Sequence, residues 1–121
     1  MIRGVDHVQI AVPPALENAA LRFYAGVLGL VRIDKPEGAG ESRGAWFAAG
    51  NVQFHVGIQL QDFAPARKAH VGFVVEDLGR VRAALESDGW PVKDGGTIPG
   101  FVRLFSEDPA GNRLEFLQRT P

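Results

Sequence analysis

Two stretches of this chain share one pattern, and that repetition limits what it can fold into more than any other feature. Residues 7–12 read His-Val-Gln-Ile-Ala-Val, and residues 70–75 read His-Val-Gly-Phe-Val-Val. Both place apolar side chains at every second position, the period of a half-buried strand. A helical pattern follows each. In the first half Pro13-Pro14 opens a stripe of Leu16, Ala20, Phe23, Val27 and Leu28 that stops at Gly29. In the second, Asp77 is a good N-cap for a stripe of Leu78, Val81 and Leu85 closed by Gly89 and Pro91.

Three strand candidates come next in each half, at about 30–34, 44–49 and 52–59, then at about 91–94, 101–106 and 113–118. Ala49-Gly50-Asn51 and Ala110-Gly111-Asn112 precede the two last strands. Gly-Asn pairs favour turns because both residues tolerate positive φ. The order recurs at an offset of 61–63 residues, with a connecting stretch at 62–68. The chain is therefore expected to be α+β, with two tandem βαβββ modules at about 4–60 and 68–119 in a single domain, 1–121.

A length of 121 residues suits one domain with its own core, and 45% hydrophobic residues exclude a disordered chain. Thirteen Lys and Arg against fourteen Asp and Glu leave a formal charge of −1, without the basic excess a general nucleic-acid binder needs. The absence of cysteine removes disulfides, thiolate metal sites and cysteine nucleophiles together. The first residues, Met1-Ile-Arg-Gly-Val-Asp-His, lack the apolar core of a signal peptide, and no apolar run approaches the roughly 18 residues of a membrane span. The expectation is a soluble cytoplasmic protein with no nucleic-acid or membrane partner. A homodimer, the commonest soluble oligomer, is expected.

Side chains alternate faces along a strand, so the polar residues can be placed. Val8, Ile10 and Val12 form the helix-facing row of the first strand, which sends His7 and Gln9 to the other face. Val71, Phe73 and Val75 do the same for His70. Val52, Phe54, Val56 and Ile58 leave Gln53 and His55 opposite, and Leu114 and Phe116 leave Glu115 and Leu117 opposite. Two histidines and a carboxylate form an open site for Zn²⁺ or non-haem iron.

From Val5 to Leu117 the chain resembles the vicinal oxygen chelate superfamily, which includes glyoxalase I, methylmalonyl-CoA epimerase, extradiol dioxygenases, and the fosfomycin- and bleomycin-resistance proteins. The resemblance is carried by Asp6-His7-Val8, by Phe23-Tyr24 with Leu28-Gly29-Leu30, and most specifically by Asp108-Pro109-Ala110-Gly111-Asn112-Arg113-Leu114-Glu115-Phe116. It implies paired modules whose mixed, largely antiparallel sheet curves into a U around a central cleft. It also implies one divalent metal per site (Zn, Ni, Mn or Fe), with ligands at His7, His70 and Glu115.

The fourth ligand position is Glu in glyoxalase I and Gln in the epimerases. Aligning the two halves with a one-residue gap after the Gly-Asn turn sets Gln53 against Glu115, while His55, two residues on, faces the same way. Ligand, acid–base group and pocket lining all stay open for His55.

The implied function is a small metal-dependent enzyme that chelates its substrate through neighbouring oxygens for isomerisation, lyase or addition chemistry. His55 or Glu115 would be the base beside the chelated atoms. Trp46, Phe47, Phe101 and Phe105 are candidate apolar walls. Arg103 is either an anchor for a substrate carboxylate or phosphate, or an ordinary surface residue or one half of a salt bridge. The glycine-rich stretch 35–43 reads as a hairpin connection or a lid. The alternatives are a metal-free drug- or metabolite-binding protein of the bleomycin-resistance type, and a structural module with an idle pocket.

Overall fold

The computed structural model describes residues 1–39 and 42–121. Gly40 and Glu41 lie outside them, so the lid reading of stretch 35–43 rests in part on residues that are not described. The chain divides into two compact units, Met1–Ala64 and Pro65–Pro121, with the boundary inside the connecting stretch 62–68.

Each unit is a βαβββ module. The first runs through β1 (His7–Val12), a 3₁₀ turn (Pro14–Leu16), α1 (Glu17–Arg22), a π turn (Phe23–Val27), β2 (Val31–Ile33), β3 (Ala45–Ala49) and β4 (Val52–Ile58). The second runs through β5 (Val71–Val74), α2 (Leu78–Ser87), β6 (Lys93–Ile98), β7 (Phe101–Glu107) and β8 (Arg113–Arg119). The strand orders are the same, β1-β4-β3-β2 and β5-β8-β7-β6. In both, the first strand lies parallel to the last and the remaining pairs are antiparallel. The repeat read from the sequence is thus a repeat of topology.

Two local expectations need correction. The first helical pattern is not one α-helix, because it begins on Pro13-Pro14 and must bury two adjacent aromatics. The π turn is closed by Leu28 N–H donating to the Phe23 carbonyl at 3.0 Å. This wider turn lets both Phe23 and Tyr24 face the core, at 1% and 0% exposure. Phe54 of β4 packs on Tyr24, with ring centroids 4.7 Å apart. The second correction is β6, which starts later than expected and runs through Gly95-Gly96 rather than ending before them. A register shift between Asp94 and Gly96 absorbs the glycine pair as a bulge.

Glu17, at the start of α1, fixes the return of the chain into β3. Its carboxylate accepts from Gly44 N–H at 2.8 Å and from Arg43 Nε at 3.0 Å. These bonds, the Gly44 N–H first, hold its pKa below the usual carboxylate value. Gly44 itself has φ +78°, and a Cβ there would meet the Val56 carbonyl oxygen at 2.1 Å, so the anchor sits on a residue that only glycine can supply. Glu17→Ala should cost about 1–3 kcal/mol in urea denaturation. Because the folded pKa is lowered, this contribution is present above the unfolded carboxylate pKa and is lost as pH falls through the folded one. An unchanged urea midpoint would show that the anchor carries no weight.

Candidate functional site

The polar residues singled out by alternation form a small constellation in each module. In the first, the His55 ring lies between two others. It stacks on Trp46 at 4.0 Å with the planes 3° apart, and on His7 at 4.4 Å. Trp46 is opposite His55 across the β3–β4 pair, and Gln9 of β1 is opposite it on the other side. His55 is buried, and its Nε2 lies 2.9 Å from Gln53 Oε1. Burial pushes its pKa below the ordinary histidine value, and a charge on His7 adds to this, against partial compensation by Asp6. The ring is therefore neutral at neutral pH. His7 is oriented by its neighbour in sequence, with Nδ1 2.9 Å from Asp6 Oδ2.

An NMR titration of the chelator-treated protein should give His55 a midpoint below 6.5, and a midpoint above it would contradict this environment. The linkage follows in sign. The unfolded chain takes up the His55 proton first, so the stability due to its neutral form is present above the unfolded pKa and is lost as pH falls through the folded one.

In the second module His70 and Glu115 meet directly, with Nε2 2.8 Å from Oε1. His70 Nδ1 lies 2.9 Å from the Lys68 carbonyl, which fixes its hydrogen there and turns Nε2 toward the carboxylate. The other carboxylate oxygen, Oε2, accepts from Arg103 Nη1 at 3.3 Å. Arg103 Nε also donates to the Gly95 carbonyl at 3.0 Å. Of the roles open for Arg103 in the sequence, the structure thus shows the salt bridge. Phe105 lies beside this group, edge-on to His70 and under the guanidinium groups of Arg103 and Arg113. Phe101 is half-buried beneath Arg119.

Phe47 is placed elsewhere. It is fully buried in the helix-side core opposite Phe54, because neighbours on a strand face opposite ways and Trp46 takes the side of His55.

Strand register resolves which first-module residue corresponds to Glu115. Two residues beyond His7, Gln9 pairs with His55; two residues beyond His70, Gly72 pairs with Glu115. Across the hairpins Trp46 faces His55 as Phe105 faces Glu115. His55, not Gln53, therefore occupies the position of Glu115, and Gln53 corresponds to Arg113. The packing repeats in mirror form. A Cβ on Gly57 would strike the Gln9 side chain at 2.6 Å, and one on Gly72 would press on Leu117 at 3.2 Å.

Alignment through the Gly-Asn turns misleads because the turns differ in length. Ala49 pairs with Val52 around Gly50-Asn51, whereas Glu107 pairs with Arg113 around residues 108–112. The resulting slip is two residues, which preserves the face, so alternation alone could not separate Gln53 from His55.

The motif Asp108-Pro109-Ala110-Gly111-Asn112 has a structural task. Buried Asp108 accepts from Ala110 N–H, Asn112 N–H and Asn112 Nδ2 at 2.9, 3.0 and 2.9 Å. Asn112 Oδ1 in turn accepts from Ala66 N–H at 2.9 Å, and Arg113 N–H donates to the Ala66 carbonyl at 2.8 Å. The motif clasps the start of its own module and delivers β8, with Glu115, in register.

The model of the Glyoxalase/Bleomycin resistance protein/Dioxygenase superfamily matches residues 4–116. The chain belongs to this superfamily. Among solved structures, a glyoxalase family protein from Bacillus anthracis is 38% identical, covers 99% of this chain and 98% of its own, and superposes with a TM-score of 0.89. The antibiotic binding protein TnmS3 from Streptomyces sp. CB03234 shares 20% identity, with 98% of each chain covered and a TM-score of 0.77. Lactoylglutathione lyase from Agrobacterium tumefaciens shares 18% identity, with 98% of this chain and 95% of the other covered and a TM-score of 0.73. At those lower identities the likeness is one of fold. No curated protein matches the sequence.

Superfamily members include metal enzymes, which makes the donor set of each module the relevant chemistry. Within neither module do three described His, Asp or Glu side chains form a group that could hold a metal. The His70–Glu115 pair nevertheless has the right chemistry. Two adjacent ligands, each about 2.1 Å from a divalent ion, stand roughly 3.0–3.4 Å apart, so an N···O separation of 2.8 Å needs only a small opening. The backbone carbonyl behind Nδ1 is the second-shell partner such a histidine uses. Among the described residues no helix is long and apolar enough to cross a membrane.

Proposed function

We propose that this chain is a metal-dependent enzyme of the glyoxalase type, acting on a small substrate with adjacent oxygen atoms. The observation that carries the proposal is the His70 Nε2–Glu115 Oε1 pair, with His70 oriented by the Lys68 carbonyl. His7 and His55 supply the corresponding donors of the first module, Asp6 and Gln53 orienting them. A neutral imidazole is the form that donates to a metal, and burial keeps His55 in it. When bound, a divalent ion (Zn, Ni, Mn or Fe) would polarise the substrate oxygens and stabilise negative charge developing there. His55 or Glu115 would take a proton from the carbon beside such an oxygen. Trp46 beside His55 and Phe105 beside Glu115 are the aromatic neighbours of the donors in their own modules. The protein works in the cytoplasm as a homodimer.

Acetohydroxamate, which offers two neighbouring oxygens, is a suitable probe. Calorimetry should show it binding Ni²⁺-loaded protein and ignoring chelator-treated protein. Equal binding with and without metal would overturn chelation.

A second reading has its own observation. The first module carries a concavity of about 570 Å³ lined by His7, Gln9, Trp46, His55 and Gln59, large enough for a small aromatic molecule. Under this reading the chain sequesters a drug or metabolite without metal, and metal-independent ligand binding in the same titration would favour it.

A further inference from the structure

Resting on the metal-centre reading above, we infer that Arg103 is a positioning residue that restricts Glu115 to one coordinating oxygen. Three observations converge. Arg103 Nη1 holds Glu115 Oε2 at 3.3 Å, leaving Oε1 alone to face His70 at 2.8 Å. Arg103 is itself held at a second point, its Nε donating to the Gly95 carbonyl at 3.0 Å.

That carbonyl belongs to an irregular stretch of β6. Gly95 lies at the β6 bulge, and a Cβ there would come within 2.7 Å of Phe105 Cε2 and 2.8 Å of Arg103 Cγ. Any larger residue there would have to displace the Phe105 or Arg103 side chain. Counting from the Trp46–Phe105 correspondence, the first module has Gly44 where the second has Arg103, and there is no cation at the matching place. The hold is a property of the carboxylate-bearing module alone. With Nε on Gly95 and Nη1 on Glu115, Arg103 is placed to act through Glu115.

The sign of the effect separates this role from simple electrostatics. Deleting a positive charge near a cation would tighten metal binding by Coulomb's law. Loss of an orienting partner weakens it, typically by about 10–100-fold. The test loads the protein with Co²⁺ and reads its visible spectrum, with affinity taken from competition against a chromophoric chelator. It compares wild type with Arg103→Met and Arg103→Lys, all first shown to be folded by circular dichroism.

Arg103→Met should bind Co²⁺ about 10–100-fold more weakly. Its visible absorption should also fall and shift as Oε2 joins the metal and raises its coordination number. Lysine restores the charge but lacks the planar fork that reaches Gly95 and Glu115 together, so it should not rescue. Tighter binding by Arg103→Met, an unchanged spectrum, or full rescue by lysine would each overturn the inference. If wild type itself bound no Co²⁺, the metal centre would fall, and this role with it, before any variant was read.

Discussion

Asp108→Ala is expected to destabilise this protein by about 3–5 kcal/mol and lower its Tm by roughly 10–25 °C. The carboxylate is 1% exposed and accepts three hydrogen bonds, two from backbone and one from the Asn112 amide. Alanine would leave those donors buried without an acceptor, each at about 1–3 kcal/mol, while the residual turn relaxes enough to recover part of the sum. Against a total stability of about 5–15 kcal/mol for a domain, this is a large fraction. Asp108→Asn keeps the shape and one carbonyl oxygen, and should cost less than half as much. Thermal and urea denaturation of both variants would check the order. If the two substitutions cost the same, or Asp108→Ala cost under about 1 kcal/mol, the clasp would not be what fixes β8.

The second large effect concerns the metal donors. His70→Ala and Glu115→Ala should each reduce affinity for a divalent ion about 100-fold or more. This exceeds the 10–100-fold expected for a partner that only orients a ligand. The register makes a sharper claim within the first module. His55→Ala should fall in the larger class, and Gln53→Ala, which removes only the hydrogen bond to His55 Nε2, in the smaller. The reverse order would make Gln53, not His55, the donor of that module. Chelator competition with Zn²⁺ and Ni²⁺ measures all four, and an unchanged urea midpoint separates lost ligation from lost folding.

Much of this was legible in the chain because it rests on periodicity. The row Phe54, Val56 and Ile58 against Gln53 and His55 follows from alternation, and so does the placement of Glu115 beside Arg103 and Phe105 rather than Leu104. Phe47, expected as a pocket wall, lies in the core, where the same rule assigns it as the neighbour of Trp46. The choice between Gln53 and His55 was not legible. It depends on how many residues each hairpin spends in its turn, and a two-residue slip leaves every side chain on its original face.

The break in the first helix was also hidden. A π turn is set by how Phe23 and Tyr24 pack on β4, a tertiary demand that the helical stripe does not announce. The role of Arg103 needed the β6 bulge, which the pair Gly95-Gly96 signals only as a break in regular structure. The Asp-Pro-Ala-Gly-Asn segment is the strongest mark of family in the sequence. Its use as a clasp on Ala66 depends on a contact 46 residues away in sequence.

The central claim is that His70 and Glu115 belong to a metal centre, and counting the metal tests it most directly. Untagged protein would be stripped with chelator, incubated separately with Zn²⁺, Ni²⁺, Mn²⁺ and Fe²⁺, dialysed, and measured by elemental mass spectrometry. The account predicts about one ion per chain for at least one of these metals, and none retained by the His70→Ala, Glu115→Ala double variant. Wild-type protein that retains no ion of any kind would contradict it.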